Sequence, residues 1–347
     1  MGIHSTISRP KVSLIIIALN EEKALPDLLY SIKNQSYDHK AIEIIFVDSM
    51  STDRTIEIMN EFIEKEDFHR VVYKTNPKII QAGGWNTALD DVKGDIIIRL
   101  DAHAYLPEDF IEKNVKCIDE GHDICGGKVK NHIADRSAWS GIINIAENSM
   151  FGGSVAAFRH KDTTGYVPTL AFAAYKREVF EKVGRFNENL VRTEDNEMHY
   201  RMRQSGYRFF YNPEIISFRE TRPTLRKLLR QKYLNGYWIG LTLSICPKCF
   251  SIYHFAPLGF VVAILIANVF ICAGIWQLLF LLWGVYAAGA VMMSIFSMLQ
   301  DRKFNRYYFL LPVLFLLLHL GYGVGTLVGI MRIPGWKKSL KVKGCSV

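Results

Sequence analysis

An aspartate and a histidine two residues apart, Asp101-Ala102-His103, follow the apolar run Asp95-Ile-Ile-Ile-Arg-Leu100. On an extended segment the side chains at i and i+2 point the same way. A carboxylate and an imidazole can therefore converge on one divalent cation, and oxygen with imidazole suits Mn²⁺ or Mg²⁺. A second apolar run, Ile42-Glu-Ile-Ile-Phe-Val47, also ends in an acid, Asp48. A third acidic cluster, Thr193-Glu194-Asp195, lies downstream. Each acid alone also reads as a turn residue or helix N-cap, and His103 alone as a hydrogen-bonded surface histidine. Three acidic sites in order, on apolar strands, point to chemistry on a nucleotide diphosphate.

The elements that must position these groups alternate. Lys11 to Leu19 has the unbroken apolar character of a strand buried on both faces. Glu21 to Asn34 is an amphipathic helix with Leu25, Leu28, Leu29 and Ile32 on one face. Ile42 to Val47 is the next strand, and Thr52-Asp53-Arg54-Thr55 opens a helix through Ile56, Met59 and Ile63. Arg70 to Tyr73 is a short strand, Gln81-Ala-Gly-Gly-Trp-Asn86 leads into a helix, and Asp95 to Leu100 is a strand. This βαβαβ order predicts a parallel sheet with crossover helices. Ligands bind outside the carboxyl ends of such strands, where Asn20, Asp48 and Asp101 fall. Glu194 and Asp195 begin a further helix, Glu197 to Gln204, stopped by Gly206.

The 347-residue chain carries a formal charge of +8 and is 49% hydrophobic. Its apolar residues concentrate near the C-terminus. No Asp, Glu, Lys or Arg occurs from Cys249 to Gln300, room for two crossings of about 20 residues each. Phe255 to Trp276 and Gln277 to Leu299 are the expected spans. A third uncharged run, Tyr307 to Met331, lies between Arg306 and Arg332. Basic stretches precede the first run (Arg219 to Lys232), separate the second from the third (Arg302, Lys303, Arg306) and follow the third (Arg332, Lys337, Lys338, Lys341, Lys343). All three favour the cytoplasmic side. That requires an even number of crossings, so Tyr307 to Met331 is expected to be re-entrant or interfacial, broken around Pro312 and Gly321. No N-terminal signal peptide is visible in Met1 to Pro10. The six cysteines are scattered and give no disulfide framework. Cys246-Pro-Lys-Cys249 lacks the partner pair that would make CxxC a strong zinc signal.

Ala18-Leu-Asn-Glu-Glu22, Val47-Asp-Ser-Met-Ser-Thr-Asp-Arg-Thr55, Asp101-Ala-His103 and Thr193-Glu-Asp195 together resemble the signature of family 2 glycosyltransferases with the GT-A fold. The chain is most similar to the succinoglycan, or exopolysaccharide-biosynthesis, type. There too the metal motif is Asp-Ala-His and membrane segments follow the catalytic domain. The resemblance runs over roughly residues 10 to 235 in order. It implies an α/β fold with a Rossmann-like, mostly parallel sheet over residues 1–218, then amphipathic membrane-interface helices over 219–250. Membrane segments with a basic cytoplasmic tail follow over 251–347.

The resemblance also implies roles. Asn20 and Glu22 would contact the ribose or base, and Asp48 the uracil edge. Gly83, Gly84 and Asn86 would allow close backbone approach beside the nucleotide. Asp101 and His103 would hold Mg²⁺ or Mn²⁺ against the diphosphate, and Asp195 would be the catalytic base with Glu194 beside it. Inversion at an anomeric carbon needs one carboxylate to take the acceptor proton. The metal serves the leaving group, so one acid outside the metal site suffices. Gln231-Lys-Tyr-Leu-Asn235, with Trp238, lacks the Arg-Trp pair of processive synthases, which favours transfer of a single sugar. The expected enzyme is an inverting, multi-pass membrane glycosyltransferase with a cytoplasmic catalytic domain. Its expected donor is a UDP-sugar and its acceptor a polyprenyl-diphosphate-linked saccharide. Membrane lipids are further partners, a homo-oligomer or other polysaccharide-assembly enzymes are compatible, and no nucleic acid is expected. The alternatives are a polyprenyl-phosphate sugar synthase and a nucleotide-sugar-binding membrane scaffold without turnover.

Overall fold

The computed structural model describes residues 11–133, 137–153, 162–221, 224–301 and 306–342. The polar start Met1 to Pro10, Arg222, Arg302, Lys303, Lys343 and Cys345 lie outside the described residues. The chain divides into two compact units, Met1–His132 with Ala156–Glu220 and Ile133–Val155 with Thr221–Val347.

The first unit is a mixed nine-stranded sheet with helices on both faces. Its strands are β1 (Val12–Ala18), β2 (Ile42–Asp48), β3 (Arg70–Thr75), β4 (Ile96–Asp101), β5 (Ala104–Tyr105), β6 (Ile124–Ile133), β7 (Gly165–Val167), β8 (Ala174–Lys176) and β9 (Phe209–Thr221). They lie in the order β3-β2-β1-β4-β8-β6-β9-β5, with β7 beside β9. The first four neighbours are parallel, and β8 turns the sheet antiparallel by pairing with β4 and β6. Alternation sends Leu14, Ile16, Ile44, Phe46, Ile98 and Leu100 to one face. There they meet α1 (Leu25–Lys33) and α2 (Thr55–Lys65), whose Leu28, Ile32, Met59 and Phe62 are buried with them. Ile15, Ile45, Val47 and Ile97 go to the other face, where α3 (Gln81–Leu89) supplies Ala82, Trp85 and Ala88.

The segment expected to lead into a helix is itself helical. Gln81 begins α3, so Gly83 and Gly84 lie inside the helix. Gly84 is there because α3 sits close on β1. A Cβ at Gly84 would come within 2.9 Å of the Ile17 side chain. Helix α4 (Phe110–Asp119) follows β5. Helix α5 (Ala138–Asn148) belongs to the second unit, and α6 (Arg177–Val183) and α7 (Glu194–Gln204) to the first.

In the second unit, α8 (Leu225–Thr242) is followed by α9 (Ala256–Ile271), α10 (Gln277–Asp301) and α11 (Leu311–Val342). Among the described residues three segments, Ile252–Ile271, Gln277–Gln300 and Arg306–Val342, are long and apolar enough to cross a membrane. Val269, Phe280, Leu299 and Phe309 are 67–77% exposed, a surface that suits lipid and not water. The expected break in the third apolar run is not there. Residues 311–342 form one helix that passes without interruption through Gly321, Gly323 and Gly325. Pro312 sits in the first turn, where its missing N–H costs nothing.

The glycines serve packing instead. A Cβ at Gly325 would overlap the Tyr233 carbonyl oxygen of α8, one at Gly329 that of Tyr237, and one at Gly236 that of Tyr322. Small residues on both helices thus let the two backbones touch. Gly325→Leu is expected to lower the stability of the purified protein by about 3 kcal/mol or more, the upper range of overpacking. Gly335→Leu, whose Cβ meets none of the described residues within 4 Å, should leave the thermal midpoint in detergent unchanged. Equal midpoints for the two variants would refute the close packing.

Candidate active site

Strand register builds the carboxyl edge of the first unit. Parallel pairing sets Ala18 of β1 opposite Asp48 of β2, and Ile17 opposite Asp101 of β4. Asp48 and Asp101 therefore flank the end of β1, about 10 Å apart across two strand spacings. The loop after β1 is stitched to the loop after β2. Asn20, in the left-handed region at φ 56, accepts the Thr52 N–H at 2.8 Å through Oδ1. It donates its own N–H to Ser51 Oγ at 2.9 Å. Glu22 accepts the Arg54 N–H at 3.2 Å, and buried Asp48 accepts that of Ser51 at 3.0 Å. Asn20, Glu22 and Asp48 thus belong to one hydrogen-bonded pair of loops.

At the end of β4, His103 Nε2 lies 3.9 Å from Asp101 Oδ2. Its other ring nitrogen, Nδ1, lies 3.1 Å from Glu21 Oε1. Burial alone would lower the imidazole pKa, but the Glu21 hydrogen bond and the Asp101 charge outweigh it and raise it. A carboxylate on the far nitrogen of a histidine is the arrangement that orients metal-ligating imidazoles. A carboxylate and an imidazole side by side fit Mn²⁺ or Mg²⁺. Gln81 donates to Asp101 Oδ1 at 3.2 Å.

Two residues before Asp101, Arg99 points to the same face. Its guanidinium is stacked between Trp85, 4.2 Å from the ring centroid, and Phe186, at 4.6 Å. It donates from Nη2 to Asp195 Oδ1 at 2.6 Å. Close packing around Asp195 would raise its carboxyl, but Arg99 outweighs this and holds it below the usual range. The Asp195 side chain is nonetheless 46% exposed, so it remains reachable from solvent. Its neighbour Glu194 is the reverse. It is 4% exposed, and its Oε2 has no hydrogen-bond partner among the described residues. Burial and the adjacent Asp195 charge push it up to about 8. One turn along α7, burial pushes His199 down to about 3. Its ring nitrogens contact Thr169 Oγ1 at 2.7 Å and Tyr175 Oη at 3.1 Å. At neutral pH Asp195 is therefore anionic between a neutral acid and a neutral imidazole, and Glu194 is close enough to feel the charge of Asp101.

Asn86 is not at the carboxyl edge. Its Nδ2 donates to the Phe186 carbonyl at 2.9 Å and to Glu188 Oε1 at 3.0 Å, and its Oδ1 accepts the Phe186 N–H at 2.9 Å. It braces the loop whose Phe186 ring lies against Arg99. Sequence reasoning passed over Arg99, Glu21 and Gln81. Arg99 had a signal, since a charge inside Ile96-Ile-Ile-Arg-Leu100 is buried and must find a partner. Glu21 and Gln81 had none beyond adjacency to Asn20 and to the glycine pair.

Residues 13–184 match the model of the family described as Glycosyl transferase family 2. A relative from Methanococcus voltae is a dolichyl N-acetyl-α-D-glucosaminyl phosphate 3-β-D-2,3-diacetamido-2,3-dideoxy-β-D-glucuronosyltransferase. It is 26% identical over 327 residues, 92% of this chain and 97% of the relative. The succinoglycan biosynthesis protein ExoA of Rhizobium meliloti is 25% identical over 295 residues, 80% of this chain and 86% of that protein. Among solved structures, the mannosyltransferase PcManGT of Pyrobaculum calidifontis, in complex with GDP-Man and Mn²⁺, superposes with a TM-score of 0.61 at 21% identity, covering 92% of this chain and 88% of that one. That likeness establishes a shared GT-A fold. By the matched model, the relatives and the fold together, this chain belongs to glycosyl transferase family 2.

Proposed function

We propose that this glycosyltransferase is inverting and metal-dependent, and that it transfers one sugar from a UDP-sugar to a polyprenyl-diphosphate-linked saccharide at the membrane. The observation that carries this reading is β4 itself. Arg99 holds Asp195, and Asp101, two residues on, opens the metal motif from the same face. In this reading proton acceptance and leaving-group stabilisation would both act from one strand. The acceptor hydroxyl gives its proton to Asp195 as its oxygen attacks the anomeric carbon, and the nucleoside diphosphate departs from the opposite side. Asp101 and His103 would hold a cation that balances charge on the departing diphosphate. Asn20, Glu22 and Asp48 would seat the nucleoside, with α3 packed through Gly84 on β1 behind them. A lipid-linked sugar as acceptor is supported by the M. voltae relative, whose name specifies a sugar on a dolichyl phosphate, with one phosphate and not two, and a β linkage.

Purified protein in detergent, given a panel of UDP- and GDP-sugars with either a polyprenyl-diphosphate-linked monosaccharide or bare polyprenyl phosphate, tests this. A disaccharide on the lipid is the expected product. Transfer to the bare phosphate alone would establish the sugar-phosphate synthase instead, and neither transfer nor donor hydrolysis would establish the scaffold.

Topology follows from the second unit. Leu229, Tyr233 and Tyr237 of α8 face Gly321, Gly325 and Gly329 of α11, so the two helices run parallel. Exposed Arg226, Lys227 and Arg230 then flank residues near 318–322, the middle of the run Tyr307 to Met331. Were that run to span a bilayer, three cations would sit near mid-plane at about 3 kcal/mol each. We propose that α8 and α11 lie along the interface and that only α9 and α10 cross. The catalytic unit and the basic tail then share the cytoplasmic side. Exposed Cys272, between α9 and α10, should react with a membrane-impermeant thiol reagent on intact cells. Lys341→Cys, in a background with Cys272 and Cys345 replaced by Ser, should be protected until permeabilisation. Labelling of Lys341→Cys in intact cells would mean three crossings.

A further inference from the structure

A second cluster of ligand atoms lies away from the carboxyl edge. Cys117, in the last turn of α4, and Glu120 and His122, just beyond it, place one thiol, one carboxylate oxygen and one ring nitrogen within 4.8 Å of one another. Among the described residues no other group of three His, Cys, Asp or Glu side chains does so. The grouping is local but not a simple helical face. Gly121, at φ +97, ends the helix in a conformation that other residues avoid, and this turns His122 back toward Cys117.

The ring of His122 is held in place. It stacks on Phe210 at 3.6 Å and 9°, with the edge of Tyr166 at 6.1 Å. Stacking occupies the faces of an imidazole and leaves its in-plane nitrogens available for coordination. Beside it, Cys117 is 2% exposed, so its sulfur is shielded from solvent. Register separates the cluster from the nucleotide edge. Ile124 pairs with Tyr175, and Tyr175 pairs with Ile97. The cluster therefore sits level with the start of β4, about 13 Å along the strand from Asp101.

We propose that Cys117, Glu120 and His122 form a zinc site that ties the end of α4 to the start of β6. Sulfur, nitrogen and one carboxylate oxygen are the donor set of Zn²⁺, whereas Mg²⁺ and Mn²⁺ prefer oxygen. The last carbonyls of α4, the negative end of its dipole, add to the attraction for a cation. Three protein ligands leave a fourth tetrahedral position open to a water molecule. Zinc here is structural, and its presence is independent of whether the donor and acceptor are those proposed above.

Cobalt reports the difference directly, because thiolate bound to Co²⁺ gives an intense near-ultraviolet charge-transfer band that carboxylate and imidazole alone do not. Full-length protein in detergent, stripped with chelator and titrated with Co²⁺ in excess Mg²⁺, should develop that band at one cobalt per chain. Zn²⁺ should displace it and raise the thermal midpoint. The band should be lost in Cys117→Ser and unchanged in His103→Ala. His122→Gln and Glu120→Gln, at more exposed positions that spare the core if Cys117→Ser fails to fold, should each weaken cobalt binding by about tenfold or more, a loss that even a supporting group can cause at a metal site. No thiolate band, or a band that survives Cys117→Ser or is lost instead with Cys246→Ser, would overturn the assignment.

Discussion

Asp195→Asn is expected to lower kcat by about 10²- to 10⁴-fold, the contribution of a positioned general base, with the KM for the nucleotide sugar within a few-fold of the parent. The substitution keeps size and shape and can still accept a hydrogen bond from Arg99 through its carbonyl oxygen. What it loses is the ability to hold a proton at neutral pH, and that matters only as the acceptor oxygen attacks. A change confined to kcat is the signature of an interaction made in the transition state. An acid that merely started α7 would behave otherwise, costing about 1 kcal/mol of stability and little activity. Turnover within a few-fold of the parent would place the base elsewhere.

Arg99→Met extends this result, because it separates a positioning role from a structural one. The guanidinium keeps the Asp195 carboxyl ionised well into acid. Without it, Asp195 stands beside Glu194 with no compensating charge, and its pKa must rise. The acid limb of kcat/KM should therefore move to higher pH, which a purely structural loss would not do. The signs for stability run in opposite directions. Asp195, depressed below its ordinary 3.8, stabilises the fold above that value and ceases to do so as pH falls through its folded pKa. Glu194, raised from 4.5 to about 8, favours the fold below 4.5, and that contribution is lost as pH rises toward 8.

Part of this site was legible because it is written along single strands. Apolar runs that end in Asp48 and Asp101 signal both a buried parallel sheet and the edge where ligands bind. Asp101 and His103 do come together, 3.9 Å apart, but through a turn at Ala102-His103 between β4 and β5 and not through the extended backbone that their spacing suggests. Arg99 escaped for the opposite reason. Its partners, Asp195, Trp85 and Phe186, come from three separate segments, and no periodicity reports a contact between positions 96 residues apart. The antiparallel half of the sheet was hidden similarly, since β7 and β8 are three residues each, too short to show alternation. Gly321, Gly323 and Gly325 misled because glycine marks both a break and a close approach. In α11 the deciding fact is the facing backbone of α8, which the local sequence does not contain.

Asp101→Ala is expected to abolish measurable transfer. His103→Ala should leave activity that needs far higher Mn²⁺ or Mg²⁺ for half-activation. The asymmetry follows from the two ligands. The carboxylate supplies the charge that fixes a hard cation, and loss of the metal removes several kcal/mol of stabilisation from the departing diphosphate. The imidazole is a neutral ligand whose orientation depends on Glu21, so Glu21→Gln should resemble a mild form of His103→Ala. Proton competition gives an independent check. Glu21 and Asp101 raise the His103 pKa, and a metal must displace that proton to bind Nε2. The Mn²⁺ concentration for half-activation should therefore climb as pH falls, and this climb should vanish in His103→Ala. Full activity in excess EDTA, after removal of bound metal, would sink the assignment of both residues. A pH dependence that persists without His103 would leave Asp101 as a ligand and remove the histidine.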